Sequence, residues 1–232
     1  MARIGTFIHR VRFFIAAGIF LAAAAAIFLS ESSCTVVKSA GLTEPDGRVE
    51  ALLKEAAEAQ AQGRLPEAVG LYEQVLGLVP DFAPVYLKLG QIYFRLNLPS
   101  KAEETYLKAI EKGLNDPDVF LFLGYIRETR GDLDQALAYY AQAELSASRN
   151  PVLYFNMGNV HARQGRNDKA LGYFKRAVIL DPRYMDAFVN LAIVSAQAGE
   201  YADAQYYLEK AEKLGYDAPV EFKTGLAAQL KK

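Results

Sequence analysis

The chain is poor in the residues that carry chemistry. Among 232 residues there is one cysteine, Cys34, and there are two histidines, His9 and His161. A lone cysteine excludes an internal disulfide. Two histidines far apart in the chain, with one cysteine, do not supply a zinc ligand set or a nucleophilic triad. No Gly-rich loop follows a strand, and no stretch alternates as a strand would. Carboxylates are plentiful but lie in helical stretches, where they read as solvated faces. The expectation is a non-enzymatic chain without cofactor or metal. No run of five like charges occurs, and 26 basic residues face 27 acidic ones. Residues 1–34 hold three Arg and one Glu, which leaves 23 basic and 26 acidic residues and a net charge of −3 for the rest. A nucleic-acid partner calls for a basic field, so none is expected, nor is a small-molecule substrate.

What the chain does have is a beat. Ala68, Ala102, Ala136, Ala170 and Ala204 each follow the last by 34 residues, without insertion or deletion. A period of this size marks a tandem supersecondary unit. The copies are 49–82, 83–116, 117–150, 151–184 and 185–218. Position 8 of each is small (Ala56, Gly90, Gly124, Gly158, Ala192), and position 15 is Gly63, Asn97, Gly131, Gly165 or Gly199. Position 24 is large (Tyr72, Tyr106, Tyr140, Phe174, Leu208), and position 27 is Val75, Ala109, Ala143, Ala177 or Ala211.

Apolar residues within a copy recur at three and four, which is helical spacing. Tyr154, Met157, Gly158 and His161 form one stripe of copy four, and Ala170, Phe174 and Ala177 a second. Position 15 separates the stripes with a residue that tolerates a left-handed helix end. Each copy is predicted to be two antiparallel helices. All nine prolines fall outside the interiors of these helices, where each would cost about 3 kcal/mol. Asp116-Pro117 and Asn150-Pro151 read as an N-cap before a first-turn proline, and Asp132 and Asn167 as caps of second helices.

These residues resemble the tetratricopeptide repeat, a 34-residue helix–turn–helix with large, Leu-Gly, Tyr, then Ala, aromatic, Ala and Pro residues at set offsets. Copies two to four match closely. In copies one and five Ala56 and Ala192 stand in place of Gly, and Ala59 and Ser195 in place of Tyr. The resemblance implies an all-α, right-handed α-solenoid of five repeats over 49–218, capped by a helix over 219–232. That last helix carries Phe222, Leu226 and Leu230 on one face. At position 11, Arg127 and His161 depart from the repeat. They read as an Arg laying its stem on the core and a semi-polar ring, or as a polar seam meeting a ligand carboxylate.

Residues 1–34 are a separate object. Arg3, Arg10 and Arg12 precede Phe13–Leu29, seventeen residues without charge. A basic start before an apolar run resembles an export signal, with the basic side in the cytoplasm. Cys34 follows Ser32-Ser33, as in a bacterial lipoprotein signal, although Glu31 stands where that pattern has an aliphatic residue. Lipidation at Cys34, an uncleaved anchor and a cleaved soluble product all remain open. Residues 35–48 read as a linker.

In proteins with this repeat the first helices line a concave face that binds extended peptides or partner helices. The family's contact positions fall here on Leu87, Gln91, Arg95, Leu121, Tyr125, Phe155, Asn159 and Arg163. Glu128 is also among them. The position-5 set (Leu87, Leu121, Phe155) serves either contact or core. The resemblance implies a membrane-tethered adaptor or assembly factor of the bacterial envelope, with the repeats in the periplasm and a protein partner in the groove. A structural spacer and a cytoplasm-facing cochaperone are the alternatives.

Overall fold

The computed structural model describes residues 47–147 and 149–231. The predicted export signal, Cys34 and most of the linker lie outside them. Among the described residues there are eleven helices and no strand: α1 (Gly47–Ala61), α2 (Leu65–Leu78), α3 (Ala83–Arg95), α4 (Pro99–Glu111), α5 (Pro117–Arg130), α6 (Leu133–Ser146), α7 (Pro151–Arg163), α8 (Asn167–Leu180), α9 (Met185–Ala198), α10 (Tyr201–Lys213) and α11 (Val220–Leu230). The 34-residue beat thus resolves into five helix pairs and a closing helix. The first helix opens at Gly47, two residues before the first copy. None of the described helices is long and apolar enough to cross a membrane.

The chain divides into two compact units, whose described parts are residues 47–126 and 127–231. In the first, α1 packs on α2, α2 on α3 and α3 on α4. Its core gathers Ala56, Ala68, Tyr72, Val75, Val85, Leu89 and Ile92. In the second, α6 packs on α7, and the packing continues in chain order to α11. Phe222 and Leu226 of α11 join Ala192, Ala204 and Leu208 in its last core cluster. Leu230, at the end of the helix, is 42% exposed and is not among the buried residues of that cluster. Lys223 also reaches Glu212 of α10 at 2.6 Å.

The periodic residues form the interior of both units. All five ladder alanines have no exposed surface, and every residue at positions 24 and 27 is buried. The turns explain position 15. Gly63, Gly131, Gly165 and Gly199 all have positive φ, and Asn97 stands at φ 56°, the left-handed conformation that Gly and Asn tolerate. Prolines sit in first turns, where the N–H has no helical partner to lose. Examples are Pro99, Pro117 and Pro151 at the first residue of α4, α5 and α7.

Two of the four predicted caps form. The Asn150 side chain accepts from the N–H of Val152 (2.9 Å) and Leu153 (3.4 Å), and Asp116 accepts from the N–H of Asp118 (2.8 Å). Asp132 precedes α6 but makes no side-chain cap; its carboxylate lies 3.6 Å from Arg127 instead. Asn167 is the first residue of α8 and not its cap, which is Arg166. In both cases the cap residue has a ψ above +60° but short of extended (63° and 68°), so the side chain is not aimed at the first free N–H groups.

Candidate functional site

In the unit 47–126, α3 and α5 carry Leu87, Gln91, Arg95, Leu121 and Tyr125. Leu87 and Leu121 are buried (9% and 4% exposed). Their side chains pack the interior, so of the two roles open for the position-5 residues they take the core one. Gln91 and Tyr125 are half-buried and Arg95 is exposed. Aromatic rings fill the space between the helices. Phe94 meets Phe122 at 5.3 Å and the edge of Tyr125 at 5.6 Å, and Phe122 stacks on Tyr106 at 5.4 Å. Pairs at these separations are favourable beyond their buried area.

In the unit 127–231, Phe155 of α7 is also core. It is 3% exposed, with its ring 5.0 Å from Tyr184 and 5.8 Å from Phe174. His161 is buried and stacks on Tyr173 at 5.3 Å and 9°. Burial, with Lys169 and Arg166 adding to it, holds its pKa below the usual histidine value. The ring packs in the interior against Tyr173.

A polar cluster does form on α7 and α9. Asn190 of α9 donates from Nδ2 to Oδ1 of Asn159 on α7 at 2.8 Å. One helical turn before Asn159, Asn156 is 4% exposed and its Nδ2 has no hydrogen-bond partner among the described residues. Residues three apart share a helix face, so three carboxamides collect on one side of this helix pair. Asn156 and Asn190 were missed from sequence, because the contact positions carried over from the family omit position 6. Their recurrence one period apart, with Asn159 between, was the signal. The equivalent residue in copy three is Phe122, so the first unit has an aromatic ring where the second has amides.

Arg163 ends α7. Its side chain is 43% exposed, and Nη1 donates to the main-chain oxygen of Glu128 at 2.7 Å and lies 3.8 Å from Glu128 Oε1. Glu128 belongs to the interior, in contrast to the expected contact role: it is 8% exposed and accepts from the Tyr140 hydroxyl at 2.8 Å. Burial pushes its carboxyl up to about 7, against the lowering effect of Tyr140 and Arg163. On the opposite side of α7, Arg176 lies 4.0 Å over the Tyr154 ring and donates to its hydroxyl (2.8 Å) and to Glu144 (3.0 Å). Among the described residues no group of three or more His, Cys, Asp or Glu could hold a metal ion.

Comparison with known proteins agrees with this architecture. Residues 59–124 match the tetratricopeptide repeat family, and residues 120–228 match the middle TPR-like domain of cilia and flagella-associated protein 70. The chain is 36% identical over 76 residues to protein O-mannosyl-transferase TMTC3 of Homo sapiens, a match covering 33% of this chain and 8% of that protein. The Mus musculus protein is 38% identical over 65 residues, covering 28% and 7%. The chain therefore spans less than a tenth of these relatives. Among solved structures, MamA superposes with a TM-score of 0.64 at 21% identity, covering 68% of this chain and 93% of that one. PilW, a type IV pilus biogenesis factor, gives 0.66 at 22%, covering 81% and 88%. YrrB, described as a TPR protein with an unusual peptide-binding site, gives 0.63 at 25%, covering 78% and 90%. The described residues fold as an all-α array of helix pairs that matches tetratricopeptide-repeat solenoids, and the matches to repeat models fall within residues 59–228.

Proposed function

We propose that this chain is a non-enzymatic protein-interaction module whose α7–α9 face binds the backbone of an extended peptide. The observation that carries this reading is the carboxamide cluster. Asn159 and Asn190 already bond each other, and Asn156 keeps a buried donor without a partner among the described residues. Leaving such a donor unpaired costs about 1–3 kcal/mol, so buried polar groups nearly always find partners. A carboxamide offers a donor and an acceptor together, which is what a peptide unit presents. Arg163 stands on the same helix, with part of its guanidinium in water, as a handle for an acidic side chain or terminus. Gln91, Arg95 and Tyr125 provide a comparable mixed surface within the first unit. The peptide-binding site described for YrrB is in keeping with this use of the fold.

The reading extends to location. The basic start, the uncharged run Phe13–Leu29 and Cys34 support a chain tethered to a bacterial envelope membrane with its repeats in the periplasm. Fusions of a periplasm-active reporter at residue 230 should then be active. Incorporation of a fatty-acid analogue should depend on Cys34. Equal labelling of Cys34→Ala would remove the lipoprotein reading.

The binding site is tested with peptides selected from a random display library on the whole protein. Asn156→Ala and Asn190→Ala should each weaken selected peptides at least tenfold, and N-methylation of single peptide bonds should do the same. Variants that fold and bind like the parent protein would refute the assignment.

A further inference from the structure

Two copies bond the hydroxyl of the position-24 tyrosine to the side chain at position 12, and a third gives that hydroxyl no acceptor among the described residues. In copy one, the Tyr72 hydroxyl donates to Gln60 Oε1 at 3.2 Å. In copy two, position 12 is Phe94, and the Tyr106 hydroxyl is buried with no hydrogen-bond partner among the described residues. In copy three, Tyr140 donates to Glu128 at 2.8 Å. A neutral amide, or no acceptor at all, is enough to seat the tyrosine. A buried carboxylate is a costlier way to do it. Its presence at copy three needs a reason other than packing.

The reason lies one repeat further on. Arg163 ends the first helix of copy four, and its Nη1 holds the Glu128 main-chain oxygen at 2.7 Å while standing 3.8 Å from the carboxylate. The groups that face the Glu128 carboxyl are Tyr140 from α6 and Arg163 from α7. On α5 itself, Arg127 lies at 3.6 Å from Asp132 in the following turn. We propose that Glu128 is a proton-operated tie on Arg163, so that the grip of α7 on the end of α5 changes as pH passes through neutrality.

The neutral acid still accepts from Tyr140 but gives Arg163 no counter-charge, which leaves the arginine held by the carbonyl alone. The ionised acid draws Arg163 in. Burial sets the carboxyl near 7, so both forms are populated close to neutrality. The two effects run in opposite directions: ionisation tightens the local contact while placing a poorly solvated charge in the interior.

The test follows the Arg163 side-chain Nε–H resonance of the whole, 15N-arginine-labelled protein from pH 5.5 to 8.5. One inflection near neutrality is expected in the parent protein. It should vanish in Glu128→Gln, which keeps an acceptor for Tyr140 as Gln60 does for Tyr72. Tyr140→Phe removes a donor that favours the ionised form and should move the inflection to higher pH. This variant serves if Glu128→Gln does not fold. A flat Arg163 resonance in the parent protein would overturn the proposal. So would an inflection that persists in Glu128→Gln, because it would belong to another group such as His161, or one unmoved in Tyr140→Phe.

Discussion

A Cβ placed on Gly158 of α7 would fall 2.5 Å from Cε1 of Phe174 on α8. The glycine is there so that the aromatic face of the second helix can lie directly against the backbone of the first. Gly90 stands in the same relation to the Tyr106 ring in the other unit. Both rings have no exposed surface, so neither has room to swing aside.

Gly158→Ala should therefore destabilise the fold even though alanine is the better helix former. Helix propensity favours alanine by about 1 kcal/mol, whereas overpacking a closed core costs about 1–3 kcal/mol and sometimes more. A net loss of up to about 2 kcal/mol is expected in a urea titration. Gly90→Ala should behave alike. A gain in stability would mean that the helix pair opens freely to admit the methyl group.

Phe155 and Leu121 should respond to truncation as core residues. Phe155→Ala removes a ring packed between Tyr184 and Phe174 and should cost about 3–5 kcal/mol, and Leu121→Ala about 2–5 kcal/mol. These losses are read by chemical denaturation. If either variant kept its stability but lost peptide binding, the side chain would be a contact residue after all.

How much of this was legible in sequence follows from what periodicity encodes. The ladder from Ala68 to Ala204 is the contact line between paired helices, and a residue that must be small in every copy leaves a visible mark. The left-handed turns at Gly63, Asn97, Gly131, Gly165 and Gly199 were legible for the same reason. The candidate site was less so. Leu87, Leu121 and Phe155 share a repeat position for which core and contact roles were both open, and spacing alone cannot say which of the two a large residue takes. Glu128 reads as a surface charge in any one-dimensional pattern; only the arrival of Tyr140 and Arg163 around it shows that it is buried. Asp132 and Asn167 have the right chemistry for caps, but capping depends on backbone angles that residue type does not dictate.

The Tyr106 hydroxyl offers a stability test with the opposite sign. It is buried without a hydrogen-bond partner among the described residues, and burial raises its pKa well above the ordinary tyrosine value. An unsatisfied buried polar group costs about 1–3 kcal/mol. Tyr106→Phe keeps the ring, its stack on Phe122 and its contact with Gly90, and removes only the cost. Stability should hold or rise by up to about 1 kcal/mol. Tyr140→Phe, which strips a donor from Glu128, should lose stability at pH 8. Equal losses in the two variants would show that the Tyr106 hydroxyl is satisfied, for example by an ordered water.

Glu128 gives the fold a pH dependence of defined sign. Its carboxyl rises from an ordinary 4.5 to about 7 in the folded protein, so the folded state binds the proton more tightly than the unfolded chain. The resulting stability is fully present below about pH 4.5 and is lost as pH rises through about 7. The shift corresponds to roughly 3 kcal/mol between these limits. Glu128→Gln carries no titrating group and retains the bond from Tyr140. The variant should match the parent protein near pH 4 and exceed it by as much as about 3 kcal/mol at pH 8.5. Urea titrations of both proteins across this range would measure the difference directly. A parent protein that gains stability relative to Glu128→Gln as pH rises would mean that Arg163 outweighs burial, and that the carboxylate is ionised throughout.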